Sequence, residues 1–484
     1  MDGIILLLPV VLPMLAAIAI PFLLERKREI IKSFVIGTVF LNLIVNWVTI
    51  STLKTPMFHI WKLNTFIDVF LKVDELGILF SLLVSVLWIF TTFYAIGYMD
   101  HEKHQERFYA FFIMTLGITN GIAYSGNLFT LYIFYELLTL ATYPLVIHSE
   151  TEEALHSGRK YLIYSFGGAT FILLGMILLY TITFDLSFAD GGLSVLEYVA
   201  REQTLLMIYI TIFLGFGVKA ALVPFHSWLA AAMVAPTPVS ALLHAVAVVK
   251  SGVFALLRVC YYVFGADVVT RIGGNVYISY LILTTILLGA LLALHQDHLK
   301  KRLAYSTISQ LGYILLGIVI LNENALLGGI LHLINHALIK ITLFFCVGAI
   351  YVATHKTHIH EIKGIGRKMP LVMWCFAIAS FSLIGVPPTN GFVSKWYLAL
   401  GALGADKPYF AALLMLSAFL AAGYLLPIVV TAFFQTSEDE DDVSYTVSRY
   451  MTVPIVLLTG VIVFLGLFPN PIVRYIENIV ANLM

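Results

Sequence analysis

Apolar segments long enough to cross a lipid bilayer recur along the whole chain. A helix needs about 20 consecutive, mostly apolar residues to span the hydrocarbon core. Of the 484 residues, 60% are hydrophobic and 12% are charged, whereas soluble domains carry about 25% charged residues. The mean hydropathy is +0.94. The sequence therefore predicts an all-α, polytopic membrane protein surrounded by lipid.

Polar breaks divide the apolar runs into about fourteen predicted transmembrane helices. They lie near 4–23, 30–53, 74–98, 108–125, 127–147, 160–183, 204–231, 239–264, 275–295, 303–321, 325–353, 370–403, 409–434 and 451–470. Helices seven (204–231) and twelve (370–403) are long enough to be broken. The first run lacks a basic leader region, so we expect a span and not a cleaved signal peptide. The connections 54–73 and 184–203 are apolar enough to lie on the membrane surface.

Basic residues concentrate on one side of the predicted helices. The odd-numbered connections hold sixteen Lys and Arg residues, in segments such as "LKKR" (299–302) and "IKGIGRK" (362–368), whereas the even-numbered connections hold six. Connections rich in Lys and Arg tend to stay in the cytoplasm. We therefore expect a multi-pass protein of the cell inner (plasma) membrane, with both termini outside.

Five basic residues and one acidic residue lie well inside the predicted spans, away from the first few residues. The basic residues are Lys219, Lys250, Arg258, Lys340 and Lys395, and the acid is Glu136. A lysine at mid-bilayer costs about 2.5–3.5 kcal/mol on insertion scales. Snorkelling relieves that cost near helix ends, but Lys219 and Lys250 are too central for it. Their positions favour a role in ion transfer.

Glu136 is the predicted partner of Lys219. Burial disfavours the charged form of a lysine, whereas a nearby carboxylate favours it. A lysine with a movable carboxylate partner is therefore a protonation switch. By contrast, Asp74 and Glu75, at the start of helix three, are predicted to be solvated. Arg258, near the end of helix eight, is expected to snorkel or face lipid as readily as to function.

Two predicted spans carry prolines at mid-membrane. "GFGVKAALVPFHSWL" holds Pro224, and "SLIGVPPTNGFVSKW" holds Pro387 and Pro388 close to Lys395. A proline leaves the carbonyl four residues earlier without its donor, and such a carbonyl needs water or a polar side chain. The alternative is that these prolines are ordinary kinks of membrane helices.

The two proline-interrupted spans are five helices apart and therefore run in opposite directions. Paired interrupted spans of this kind indicate an inverted-repeat transporter. We predict a single transmembrane domain (1–484) with inverted five-helix repeats at roughly 108–264 and 275–434.

Helix eleven carries a stripe of titratable groups. His332, His336 and Lys340 are spaced i, i+4 and i+8, which places them on one helical face along a line of up to about 12 Å. Histidine titrates near neutrality, so a proton relay is chemically reasonable; hydrogen bonding in a packed interface is the alternative. His244, six residues before Lys250 on helix eight, points about 120° away from it, so the two do not form one stripe.

Several classes of function find no support in the sequence. Three widely separated cysteines exclude a cysteine-ligated iron–sulfur cluster within this chain. The chain has no glycine-rich nucleotide loop, no hydrolytic constellation and no basic aromatic patch for nucleic acid. "HKTHIH" (355–360) has metal-like histidine spacing, but it and the acidic "SEDEDD" (437–442) favour solvated loops. We therefore predict no cofactor, no metal site and no catalysis by this chain alone.

Four motifs together carry a family resemblance. They are "YELLTLATYPLV", "GVKAALVPFHSWLAAAMVAPTPVSALLHAVAVVKSGVF", "HLINHALIKITLFF" and "GVPPTNGFVSKW". They closely resemble the antiporter-like subunits shared by complex I, Mrp-type cation/proton antiporters and energy-converting membrane-bound hydrogenases. The resemblance covers essentially the whole chain and is greatest to a D-type Mrp subunit. It implies fourteen helices, two inverted five-helix repeats, and breaks in helices seven and twelve.

The resemblance also implies roles for individual residues. It identifies the carboxylate and lysines of an ion path as Glu136, Lys219, Lys250 and Lys395, and the polar positions of helix eleven as His332, His336 and Lys340. A lysine at 395, where other members carry glutamate, matches part of the family.

We expect a proton-translocating subunit of a multisubunit complex, with other membrane subunits as partners, in Mrp-type Na⁺/H⁺ antiport. One alternative is a proton- or sodium-pumping subunit of a redox-driven complex, which would make the chain part of an ion-translocating oxidoreductase. Two further alternatives are a self-sufficient secondary antiporter and a redox subunit that binds haem or quinone. A single mid-span acid argues against a sodium cage, because sodium requires clustered oxygens.

Overall fold

The chain is a multi-pass, predominantly helical membrane protein, as predicted. The computed structural model describes residues 3–23, 28–52, 57–62, 68–100, 102–199, 201–436 and 445–484. Eleven helices in these ranges are long and apolar enough to cross a membrane.

The described residues form twenty α-helices. The first ten are α1 (Leu8–Ala19), α2 (Arg28–Thr52), α3 (Glu75–Met99), α4 (Gln105–Ala123), α5 (Leu128–Val146), α6 (Glu152–Thr183), α7 (Glu202–Lys219), α8 (Ser227–Ala231), α9 (Thr237–Ala245) and α10 (Val248–Arg258). The second ten are α11 (Ala266–Arg271), α12 (Gly274–Leu294), α13 (Leu299–Val319), α14 (Glu323–Thr354), α15 (Ile365–Lys368), α16 (Pro370–Ile384), α17 (Asn390–Gly404), α18 (Pro408–Phe434), α19 (Arg449–Leu467) and α20 (Asn470–Leu483).

Each predicted span coincides with helical structure. Helix seven corresponds to α7 and α8, helix eight to α9 and α10, and helix twelve to α16 and α17. The helices α4, α13 and α17 are not among the eleven that are both long and apolar, and α16 is a shorter apolar helix. Fourteen crossings and the repeat boundaries therefore stay predictions.

Two elements add to the sequence prediction. The 54–73 connection, predicted to lie on the membrane surface, contains an antiparallel hairpin of β1 (Met57–Lys62) and β2 (Asp68–Lys72), with an irregular register between His59 and Trp61. The segment after 470, for which no helix was predicted, forms α20. Its apolar face is buried, and an amphipathic pattern of this kind falls short of a membrane-span signal because polar residues interrupt it at every turn.

The long helix α14 is the centre of the molecule. Every residue from Ala325 to Ile350 is buried, and α14 packs against α9, α13, α16, α17 and α19. A helix that is covered on all sides has no lipid-facing surface, so its polar side chains can meet one another without the cost of contact with hydrocarbon.

The two proline-containing breaks share one geometry. After α7, Ala221 takes a φ of +55°, and the N–H groups of Ala221 and Leu222 bond back to the carbonyls of Val218 and Gly217. After α16, Gly385 (φ +97°) and Val386 make the same pair of bonds, to Ser382 and Phe381. This is the Schellman motif that ends many helices. The prolines lie beyond these helix ends, in the connecting segments, and not mid-helix as predicted.

A third break was not predicted. The 239–264 run, predicted as one helix, is interrupted at Val246 and Ala247, whose backbone torsions leave the helical region, and both N–H groups bond to the carbonyl of Leu242. The run ends in a π-helical turn, Val259–Phe264. No proline or glycine marks this break, which places a helix start two residues before Lys250.

We predict that Gly385→Ala destabilises the protein by about 1–2 kcal/mol, the cost of a left-handed backbone for a residue with a Cβ. The added methyl would also lie 2.9 Å from the Lys395 Cδ atom. The measurement is the thermal unfolding midpoint of the purified protein. Gly167→Ala is the control, because that methyl would meet no atom within 4 Å, and an unchanged midpoint for Gly385→Ala would contradict the proposed strain.

Candidate functional site

The carboxylate of α5 and the lysine at the end of α7 lie together. The Lys219 Nζ atom is 3.9 Å from the Glu136 Oε1 atom, donates to the Tyr135 carbonyl oxygen and lies 3.4 Å from the centre of the Tyr135 ring. Lys219 is 1% exposed and Glu136 18%. The carbonyl, the ring face and the carboxylate all present negative potential to the ammonium group.

The break after α7 explains why a lysine is stable at this depth. Lys219 is the last residue of α7, where the helix dipole favours a cation. On the other side, Gly252 of α10 lies against the Lys219 backbone, since a Cβ at Gly252 would be 2.6 Å from the Ala220 nitrogen. Gly252 therefore brings the helix that carries Lys250 beside Lys219.

Lys250 and one of the α14 histidines form a direct contact. The Lys250 Nζ atom is 2.9 Å from the His336 Nδ1 atom, and both side chains are fully buried. The ring of His332 lies 6.0 Å from that of His336. The His332 nitrogens are hydrogen-bonded to the Ser394 hydroxyl (2.9 Å) and the Gln310 side-chain oxygen (3.1 Å).

Lys219, Lys250, His336 and His332 follow one another through the protein, and Lys395 lies at the far end of this line of titratable groups. The Lys395 Nζ atom donates to the carbonyl oxygens of Leu383 (2.6 Å) and Ile384 (3.0 Å), which lie four residues before Pro387 and Pro388 and therefore have no N–H donor at that spacing. It also lies 5.0 Å from the centre of the Tyr313 ring. That ring stacks on His332 at 5.5 Å, so Tyr313 connects the histidines to Lys395.

Lys340 and His244 lie to the side of this line. The Lys340 Nζ atom donates to the Leu303 carbonyl (2.9 Å) and to the Ser306 hydroxyl of α13. The His244 ring lies 4.9 Å from that of Phe344, and neither His244 nitrogen has a hydrogen-bond partner within the described ranges. The break at 246–247 separates His244 from Lys250, so the 120° relation predicted for one continuous helix does not apply.

Sequence reasoning missed the neutral groups of the site. Tyr135, Tyr313, Gln310 and Ser394 all contact the predicted lysines or histidines, yet polar and aromatic residues are too common in the spans to single out. The sequence likewise gave no reason to single out Gly252, whose close approach to Lys219 is visible only in the fold. Only three-dimensional proximity identifies these residues.

Two ionisable residues were predicted wrongly. Arg258 is fully buried and pairs through both terminal nitrogens with the Asp74 carboxylate, one contact being 2.7 Å. The rings of Phe188, Phe254 and Tyr262 lie 5.2, 5.0 and 4.3 Å from its guanidinium carbon. Arg258 therefore neither snorkels nor faces lipid, and Asp74 is not a freely solvated boundary residue.

Three further histidines, His298, His358 and His360, lie together beside Asp297. His298 and His358 join in a β-bridge, and the His360 Nδ1 atom is 2.5 Å from the Asp297 carboxylate. In the part of the chain that the structure describes, no group of three or more His, Cys, Asp or Glu residues is placed to hold a metal ion. The acidic segment 437–442 lies outside the described residues.

Fold and site together define a class: multi-pass membrane proteins that hold a line of titratable groups at membrane depth. Residues 125–421 match the family described as NADH:quinone oxidoreductase/Mrp antiporter, TM, and residues 63–109 match NADH-Ubiquinone oxidoreductase (complex I), chain 5 N-terminus. The chain therefore belongs to the NADH:quinone oxidoreductase/Mrp antiporter transmembrane family.

Individual relatives agree with this assignment. The chain is 34% identical to the N subunit of the NADH-quinone oxidoreductase of Desulforudis audaxviator over 83% of each chain. It is 30% identical to the D subunit of the Na(+)/H(+) antiporter of Alkalihalophilus pseudofirmus, over 84% of this chain and 81% of that one. Its fold matches a chain of the Mrp complex from Dietzia sp. with a TM-score of 0.88 at 22% identity, covering 99% and 97% of the two chains.

We predict that Asp74→Asn destabilises the protein by about 3–5 kcal/mol, because it leaves the buried Arg258 without its counter-charge. Asparagine keeps the cap of α3, in which the Asp74 side chain accepts from the Gly77 N–H. Thermal unfolding measures the change. The control is Glu75→Gln, an adjacent and exposed carboxylate; equal midpoints for the two variants would show that the ion pair is not stabilising.

Proposed function

We propose that this chain is the proton-translocating subunit of a multisubunit membrane complex. The observation that carries the proposal is the 2.9 Å contact between the Lys250 amine and the His336 ring, both fully buried. A hydrogen bond between these two groups needs one donor and one acceptor, so the pair shares a proton. Two bases that share one proton in a dry interior are suited to pass it on.

The proposed path starts at Glu136 and Lys219. The carboxylate and the end of α7 hold Lys219 charged; when the carboxylate is lost as a partner, burial favours the neutral amine and the proton leaves. It passes to Lys250, His336 and His332. No direct hydrogen bond joins Lys219 to Lys250 in the described residues, so this step needs a mobile carrier such as water.

The second half of the path ends at the other broken helix. From His332 the proton reaches Lys395, where the carbonyls at the end of α16 stabilise the ammonium form. Lys340 and His244 are proposed as side members of the relay, since Lys340 bonds to α13 and His244 has two uncommitted ring nitrogens in the described part of the chain.

The proposed setting is Mrp-type Na⁺/H⁺ antiport, with other membrane subunits as partners. The similarity to a D-type antiporter subunit supports this setting. The higher identity to an N-type subunit of NADH-quinone oxidoreductase favours keeping a second candidate, a pumping subunit that takes its energy from redox chemistry elsewhere in its complex. Haem ligation by His332 has less support, because both nitrogens of that ring are already hydrogen-bonded.

We propose further that the protein lies in the plasma membrane with both termini outside and the odd-numbered connections in the cytoplasm. The excess of basic residues in those connections supports this orientation. The repeats are proposed to cover 108–264 and 275–434, which the matching Schellman ends of α7 and α16 support.

We predict that Lys219→Ala, in the assembled complex, lowers coupled proton transport about 100-fold or more, the scale for losing a proton-transfer group. Proton flux into membrane vesicles measures it, and co-purification of partner subunits checks assembly. Lys363→Ala, which removes an exposed lysine, should transport normally. Normal transport by the Lys219 variant would rule out the proposed path.

The two settings make different predictions about partners. If ion gradients drive the complex, mild purification followed by mass spectrometry should recover small membrane subunits without redox proteins. Recovery of iron–sulfur or nickel–iron subunits would contradict antiport and support the redox-driven setting.

A further inference from the structure

An apolar groove of about 430 Å³ lies on the surface of the helix bundle between α2 and α19. Phe40 of α2, Phe90 and Phe93 of α3, and Val453 and Leu457 of α19 line it. Because α2 and α19 each pack against α3, α3 forms the floor of the groove. In a membrane, a groove this apolar is filled by a lipid chain or by another protein, since water in it would be unfavourable.

Contacts at one end of these helices show where the groove begins. The Lys32 amine of α2 pairs at 2.7 Å with Asp100, which directly follows α3. A Cβ at Gly97 of α3 would lie 3.1 Å from the Tyr450 Cβ atom, so the start of α19 lies beside the end of α3. The start of α2, the end of α3 and the start of α19 therefore share one level, on the side of the odd-numbered connections.

From that level the groove extends through about one leaflet of a bilayer. Leu457 lies eight residues beyond Arg449, and Phe40 lies eight residues beyond Lys32, which is about 12 Å in each case at the rise of a helix. The whole hydrocarbon core is about 30 Å thick. An acyl chain in one leaflet matches this extent, whereas a spanning helix of a partner would also need a complementary surface in the other leaflet.

One cation lies at the polar end of the groove. Arg449, the first residue of α19, is exposed and is the only charged residue in the described lining. Lys32 is already paired with Glu29 and Asp100, whereas Arg449 has no ion pair within the described ranges. A guanidinium binds phosphate through two parallel hydrogen bonds, and the N-terminus of α19 adds the positive end of its dipole.

We propose that this groove binds one anionic phospholipid of the leaflet on the odd-connection side, with an acyl chain along Phe93, Val453 and Leu457 and the phosphate at Arg449. The site is separate from the proposed proton path, since none of its lining residues belongs to that path. Both α3 and α19 pack against α14, so the bound lipid would stabilise the surroundings of the helix that carries His332 and His336.

Photolabelling tests the proposed site directly. The complete complex is placed in nanodiscs of phosphatidylcholine that contain a small fraction of phosphatidylglycerol with a photoreactive diazirine in its acyl chain. After irradiation, mass spectrometry of the digested protein should locate the label on segments 449–457 and 89–93. An excess of unmodified phosphatidylglycerol should displace the label, and the same excess of phosphatidylcholine should not.

Paired arginine variants test the role of the guanidinium. Arg449→Gln should lower the labelling of both segments about fivefold, the scale for one basic residue at an anionic membrane surface. Arg367→Gln removes another exposed arginine from the odd-connection side and should label like the unmodified complex. Val453→Trp keeps Arg449 but fills the groove, so it should abolish the label on segment 89–93. Co-purification of the partner subunits verifies assembly of each variant.

Two outcomes would overturn the site. Labelling that Arg449→Gln leaves unchanged, or that phosphatidylcholine displaces equally well, would mean that lipids contact this surface without selection for charge. Label found on a partner subunit and not in the groove would mean that protein covers it. Since labelling needs no ion flux, neither outcome depends on the proposed relay.

Discussion

A charged side chain buried far from water is stable only where protein groups supply the hydrogen bonds that water would otherwise make. The arrangement of the helices around the buried lysines depends on this constraint. The lysines of the site meet it largely with backbone carbonyls. Lys219 bonds to the Tyr135 carbonyl, Lys340 to that of Leu303, and Lys395 to those of Leu383 and Ile384. Carbonyl oxygens are free at membrane depth where a helix ends, as at Leu383 and Ile384, so the break after α16 and the burial of Lys395 depend on one another.

The unbroken helix α14 carries the two histidines that lie between the lysines of the two broken helices. Its full burial keeps His332 and His336 away from lipid, and small residues let its neighbours approach. A Cβ at Gly328 would lie 2.7 Å from the Leu398 nitrogen of α17, and one at Gly317 of α13 would lie 2.7 Å from the Gly329 Cα atom. Close backbone contact holds α13 and α17 against α14, and these two helices supply Gln310 and Ser394 to His332. The close packing therefore sets the hydrogen bonds of His332 in the proposed relay.

The features that could be predicted from the sequence are residues that are rare within apolar membrane spans. An acid or a lysine within an apolar span is costly, so Glu136 and Lys219 could be singled out and paired from the sequence. Prolines likewise indicated where helices seven and twelve are interrupted. The break at Val246 and Ala247 has no such signal, since apolar residues on both sides fit a continuous helix.

Long-range pairing was also beyond sequence reasoning. Asp74 and Arg258 each lie near a predicted span end, where charged residues are ordinary, and only the folded chain shows that they meet.

Whether a buried lysine is held by a backbone carbonyl or by a carboxylate decides whether its partner can change charge. A carbonyl keeps its partial charge at every pH and cannot be titrated away, so a lysine held by carbonyls has no local on–off setting. Of the lysines in the proposed relay, Lys219 alone lies beside a carboxylate among the described residues, and Glu136 is 18% exposed. In the proposed relay, the one lysine whose charge depends on a titratable partner is therefore the one whose partner lies nearest the surface of the chain.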